Sequence, residues 1–148
     1  MLFLAGCWLA HAMFAGLIPS PWWVPDLTLA GLVLAVGRRP ARWLILSGAA
    51  GLFTIIWAVR FPLQILVGYL VIGGIVRALT RAWDATDVRV QSLMAGIASV
   101  AMTFGALWLD GLWSIAQLGL ALVHAAVTAL AVPVIQRTLR ARRWGLHS

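Results

Sequence analysis

Long apolar runs separated by short polar stretches are the main feature of this sequence. A helix that crosses a bilayer needs about 20 predominantly apolar residues, and roughly 17 are tolerated. Every run reaches that length except the second. The pattern therefore predicts an all-α integral membrane protein, a compact bundle of about six transmembrane helices with a short second helix, in which residues 1–148 form a single polytopic membrane domain. The runs cover residues 1–18, 22–37, 43–59, 62–80, 91–109 and 112–134.

The positions of the arginines predict how this bundle is oriented. Arginine accumulates in the cytoplasmic loops of membrane proteins. If the N-terminus is cytoplasmic and all six runs span, ten of the eleven basic residues fall inside and only Arg60 falls outside. Omitting a run would put Arg-rich loops on opposite sides. We therefore expect a multi-pass protein with both termini in the cytoplasm (N-in, C-in).

The composition agrees with a chain whose solvent is lipid. Of its 148 residues, 63% are hydrophobic and 10% are charged, whereas a soluble domain is about half apolar and about a quarter charged. The net charge of +7 comes from arginines at the ends of apolar runs, where they suit lipid headgroups better than nucleic acid. We expect anionic lipid headgroups as partners and no nucleic acid.

Ionisable residues within the apolar runs are too few to suggest an enzyme. His11 and His124 lie near the middle of the first and last runs, and two imidazoles without a third ligand leave a zinc site incomplete. Asp84 and Asp87 have the spacing of a Mg²⁺ pair, but no second acidic pair accompanies them, which favours a solvated loop. We expect no catalytic residue, no metal and no cofactor.

The stretch from Pro19 to Pro25 predicts an extended turn, because proline fixes φ and restricts the residue before it. Trp22 and Trp23 then lie where aromatic belts form at the membrane interface. Asp26 follows directly and is a good N-cap for the second helix.

Short motifs follow one another in a fixed order between residues 25 and 81. Their order and spacing resemble those of the rod shape-determining protein MreD family, and chain length and number of spans agree. The motifs are Pro25-Asp26-Leu27, Arg38-Arg39, Gly48, Gly51-Leu52, Pro62-Leu63, Gly68-Tyr69, Arg77 and Arg81.

The resemblance implies a non-catalytic scaffold of the cell-wall elongation machinery in the bacterial inner (plasma) membrane. It implies a bitopic MreC-like protein as the direct partner. Through that protein it implies the RodA glycosyltransferase with its penicillin-binding transpeptidase, and the actin-like MreB filaments. The residues implied for shape and partner contact are Pro25, Asp26, Gly48, Gly51, Gly68 and Tyr69, with Arg77 and Arg81 in the following loop region.

Two other functions remain open on the sequence. One is a substrate-binding membrane subunit of an energy-coupling-factor vitamin transporter, which needs an outward cavity with convergent polar groups. The other is an accessory subunit of a larger membrane complex that binds a pigment or quinone, with His11 or His124 as an axial ligand. The residues available to the first are Trp22, Trp23, Asp26, Arg60, Gln64, Tyr69, Asp110 and Gln117.

Overall fold

The computed structural model describes residues 1–56, 61–84, 86–111 and 114–144, with side chains as far as residue 140. Every regular element in this part of the chain is helical. Arg60, predicted on the outer side, lies outside the described residues, as do the side chains of Arg142 and Arg143. The α-helices are α1 (Leu2–Leu17), α2 (Leu27–Arg38), α3 (Trp43–Ile55), α4 (Pro62–Leu79), α5 (Val88–Leu109) and α6 (Ile115–Trp144).

Six helices thus correspond to the six apolar runs. Three of them, α4, α5 and the part of α6 from Ile115 to Arg140, are long and apolar enough to cross a membrane. The helix α1 and the segment that includes α3 are apolar but shorter.

The short second helix lies at the centre of the bundle. Nine of the twelve residues of α2 are buried, and α2 packs against all five other helices. At 1.5 Å per residue it is about 18 Å long, against about 30 Å for the hydrocarbon core of a bilayer. It begins at Leu27 and not at Trp22, because Pro21–Trp23 form a 3₁₀ turn and an extended stretch with Pro25 follows.

Small residues allow the helices to approach closely. A Cβ at Gly31 would lie 2.8 Å from the Cys7 Sγ, between α2 and α1. A Cβ at Gly73 of α4 would overlap the side chain of Ser47 in α3. In lipid, close approach of this kind replaces the hydrophobic effect as the source of helix association.

The helix termini form two distinct ends of the bundle. At the first, which we name the Arg-rich end, Arg38, Arg39 and Arg140 line one cavity, and the Arg77 guanidinium lies 5.7 Å from the centroid of the Trp43 ring. At the second, which we name the Asp26 end, the start of α2 meets polar side chains from α1, α3, α4 and α6.

Candidate functional site

Asp26 organises the polar cluster at the Asp26 end. Its carboxylate accepts a hydrogen bond of 2.9 Å from the Leu29 amide, so it is the N-cap of α2. Its own amide donates to the Thr128 hydroxyl of α6 over 3.0 Å. The predicted capping role is therefore confirmed, and the same residue also ties α2 to the last helix.

Tyr69 reaches the same carboxylate from α4. The tyrosine is 1% exposed, and its hydroxyl interacts with the side chains of Asp26 and Thr54. A buried hydroxyl without a partner is costly, so these contacts determine where α4 sits relative to α2 and α3. Gly51 lets α3 pack closely against α4 beside Tyr69, because a Cβ there would lie 2.8 Å from the Leu66 Cδ1 and 3.3 Å from the Leu66 Cα.

His11 and His124 approach this cluster from α1 and α6. The His11 Nδ1 lies 3.0 Å from the Pro25 carbonyl oxygen. Because a carbonyl only accepts, this nitrogen carries the proton. His124 interacts electrostatically with Asp26 and His11 and also meets the backbone of Trp22 and Val24.

A cavity of about 320 Å³ lies beside these histidines. Its walls combine three polar side chains with apolar and proline residues. In the described part of the chain, no three His, Cys, Asp or Glu residues are placed to hold a metal ion. The lining residues are His11, Ala15, Ile18, Pro19, Pro21, Val24, Asp26 and His124.

Gly68 lies next to Tyr69 but belongs to a different surface. It forms part of an apolar groove of about 520 Å³ between α4 and α5, which we name the α4/α5 groove. A Cβ at Gly68 would lie 2.6 Å from the Met102 Sδ, so the glycine lets Met102 of α5 lie directly against α4. Its lining residues are Leu63, Gln64, Val67, Gly68, Val71, Ile72, Ala101 and Met102.

The remaining motif residues occupy separate places. Gly48 is half-buried, and a Cβ there would meet nothing within 4 Å. Arg77 is half-buried against Trp43, and Arg81 is exposed in the turn after α4. The structure therefore brings Pro25, Asp26, Gly51 and Tyr69 together and leaves the other motif residues apart.

The two aspartates after α4 serve their own loop. Asp84 accepts hydrogen bonds from the Thr86 hydroxyl and amide, at 2.7 and 2.9 Å, which lower the pKa of its carboxyl below the ordinary value. Asp87 is the N-cap of α5 and accepts from the Arg89 amide at 2.8 Å. Both are exposed, in agreement with a solvated loop.

Three of the residues named for a vitamin cavity lie in different places. Asp26 lines the cavity beside the histidines, Gln64 lines the α4/α5 groove, and Tyr69 is buried between helices. Arg60 lies outside the described residues.

Sequence analysis missed several polar side chains that join helices. Gln91 of α5 and Gln136 of α6 are 1% and 5% exposed and are hydrogen-bonded to each other. Thr54 and Thr128 contribute hydroxyls to the Asp26 cluster. The available signal was the presence of uncharged polar residues within apolar runs, since lipid disfavours them unless another helix supplies a partner.

The contacts of Asp26, Gly51 and Tyr69 give the MreD-like motifs a physical meaning as packing residues. These residues come from α2, α3 and α4 and meet inside the bundle. Membership of the MreD family remains a prediction from the motifs. Comparison of the chain with protein-family models, with curated proteins and with solved structures gives no match.

Proposed function

We propose that this chain is a non-catalytic, multi-pass scaffold of the bacterial cell-wall elongation machinery, similar to MreD, in the inner membrane. The observation that carries the proposal is that Asp26, Gly51 and Tyr69, three of the residues that carry the resemblance, meet in one interior cluster. Residues far apart in sequence are thus used together to set the positions of three helices. Such a bundle presents faces of fixed shape to a partner.

In this proposal all six helices take part in the membrane domain, and the Arg-rich end faces the cytoplasm. The clustering of Arg38, Arg39 and Arg140 at one end supports this orientation under the positive-inside rule. Because α2 is too short to cross the membrane alone, the extended stretch before Leu27 completes its path. Val24 in this stretch is buried, so protein encloses the backbone there. Non-helical backbone is tolerated at membrane depth when protein surrounds it.

The α4/α5 groove is the surface that we assign to the single transmembrane helix of an MreC-like partner. Its rim residues Leu63, Val67 and Val71 are 71%, 55% and 54% exposed. Its small residue Ala101 is exposed and lets a partner backbone approach closely. The cell-wall synthases, RodA and its penicillin-binding partner, would then assemble through the bitopic protein.

Site-specific photocrosslinking in native membranes tests this assignment. A photoreactive amino acid replaces Val67 in the groove. The control position is Leu130 of α6, which is 69% exposed and lies away from the groove. We expect the probe at 67, but not at 130, to capture one bitopic protein that co-purifies with cell-wall synthases.

A groove-filling pair of variants provides the matched control. Ala101→Leu fills the groove, whereas Ala106→Leu makes the same change at an exposed site of α5 outside it. The first should abolish the crosslink at 67 and the second should preserve it. Capture of an ATPase module, or retention of a vitamin by the purified chain, would instead establish the transporter alternative. Crosslinks to lipid alone would refute the docking surface.

A further inference from the structure

A second cavity lies at the Arg-rich end and takes no part in the proposed docking. It has a volume of about 620 Å³ and is enclosed by α1, α2, α3 and α6. Among its lining residues, Leu4, Leu34 and Leu46 are 1%, 0% and 8% exposed. These leucines support the cavity from below, and its accessible apolar wall is formed by Met1, which is 59% exposed, and by the half-buried Leu139.

The other part of its lining is strongly basic. Arg38 and Arg39 reach it from the end of α2, and Arg140 reaches it from α6. All three are exposed. Arg39 and Arg140 bring two guanidinium groups to the cavity, which outweigh the roughly half negative charge that the C-terminus of α2 contributes through its dipole. None of the described residues that line the cavity is acidic.

We propose that this cavity binds one anionic phospholipid, with its phosphate at Arg39 and Arg140 and its first acyl carbons against the accessible apolar wall. Guanidinium groups form paired hydrogen bonds with phosphate oxygens, and these bonds are stronger beside apolar walls than in water. A free phosphate would use the basic part of the cavity alone. The combination of a basic rim and an accessible apolar wall favours a molecule that carries both chemistries.

The proposal rests on the membrane location proposed above and is independent of the protein partner. The test is native mass spectrometry of the purified chain in a neutral detergent. Phosphatidylglycerol, phosphatidylcholine and inorganic phosphate are added in turn. We expect one phosphatidylglycerol to be retained per chain, no retention of phosphatidylcholine, and no displacement by millimolar phosphate.

Paired variants locate the site. Arg39→Ala with Arg140→Ala should weaken retention of phosphatidylglycerol by about thirtyfold, since each arginine near a membrane surface contributes about fivefold. The control removes the same charge outside the cavity, through Arg42→Ala with Arg137→Ala, both exposed. This control should leave retention within about twofold of the unmodified chain.

A third variant keeps every arginine. Ala35→Phe fills the cavity from α2 and should displace the lipid without changing the charge, provided that circular dichroism shows unaltered helix content. Equal weakening by both arginine pairs would overturn the proposal in favour of nonspecific attraction to headgroups. Displacement by inorganic phosphate would overturn it in favour of a free anion. Neither result bears on the crosslink at the α4/α5 groove, so the two proposals fail separately.

Discussion

The crossing of α3 and α4 offers a direct test of the packing. Gly73 of α4 is buried, and an added Cβ would overlap the Oγ of Ser47 and lie 2.9 Å from its Cβ. Ser47 is 0% exposed, and a rotation of its hydroxyl would still leave its Cβ 2.9 Å from the added Cβ. Gly73→Ala must therefore push α3 and α4 apart.

The size of this effect follows from two opposing contributions. Forcing extra volume into a packed core costs about 1–3 kcal/mol, and the overlap with Ser47 places Gly73→Ala at the upper end of that range. Replacing glycine by alanine within a helix returns up to about 1 kcal/mol. We therefore expect Gly73→Ala to lower the free energy of unfolding by about 2 kcal/mol.

The adjacent Gly74 is the matched control. A Cβ at Gly74 would lie 3.4 Å from Trp43 Cζ3, which is ordinary contact, so Gly74→Ala should be neutral or slightly stabilising. Ser47→Gly removes both atoms that a Cβ at 73 would meet first and leaves the Trp43 ring at 3.7 Å. In that background Gly73→Ala should cost less, giving a coupling energy of about 1–3 kcal/mol.

Reversible unfolding in mixed micelles, with a rising mole fraction of sodium dodecyl sulfate, provides the measurement. Far-ultraviolet circular dichroism reports the helix content, and the fluorescence of the nine tryptophans reports the packing. Equal effects of the substitutions at 73 and 74 would refute the reasoning. So would an unchanged cost of Gly73→Ala when Ser47 is glycine.

Three further predictions concern polar contacts. Asp26→Ala should lower the free energy of unfolding by about 1–3 kcal/mol in the same assay, because it removes a helix cap and a partner of the buried Tyr69. Asp26→Asn can still cap the helix and should cost less. Equal costs for the two variants would contradict the capping role. Gln91→Leu and Gln136→Leu should each destabilise by about 1–3 kcal/mol, because each change removes the hydrogen bond between the two amides. The double variant should cost less than the sum of the two single losses, and additive losses would exclude the pairing. The Asp84 carboxyl should titrate by NMR below its ordinary pKa of 3.8. Its stabilising contribution is therefore present at neutral pH and is lost as the pH falls through the lowered pKa. Thr86→Val should raise the pKa of Asp84, and an unchanged pKa would rule out the Thr86 hydroxyl as a cause.

The sequence predicted the helices where a local signal marks them. The α4 start at Pro62 was predicted, because proline suits the first turn of a helix and follows the polar break before it. Asp26 was identified as a cap because an aspartate after a proline-rich turn precedes an apolar run. The start of α2 was placed five residues too early, because tryptophans continue the apolar run through a 3₁₀ turn.

Tertiary position could not be read from hydropathy. The composition of α2 resembles that of its neighbours, yet α2 is enclosed on all sides, and only its length hinted at this. The contact of Tyr69 with Asp26 and the pairing of Gln91 with Gln136 each join distant segments of the chain. Hydropathy gives no register between helices, so it could not show which polar residues face one another.

The placement of α4 connects the interior cluster to the proposed docking surface. At the Asp26 end α4 is held by Tyr69, and at the Arg-rich end it is held by the contact of Gly73 with Ser47 and by Arg77 against Trp43. Gly68 lies between these fixed points and forms part of the α4/α5 groove. A groove held at both ends loses little conformational freedom when a partner helix binds, so more of the contact energy remains as affinity. The buried residues of the motif would thus act on partner binding through the position of α4, without touching the partner.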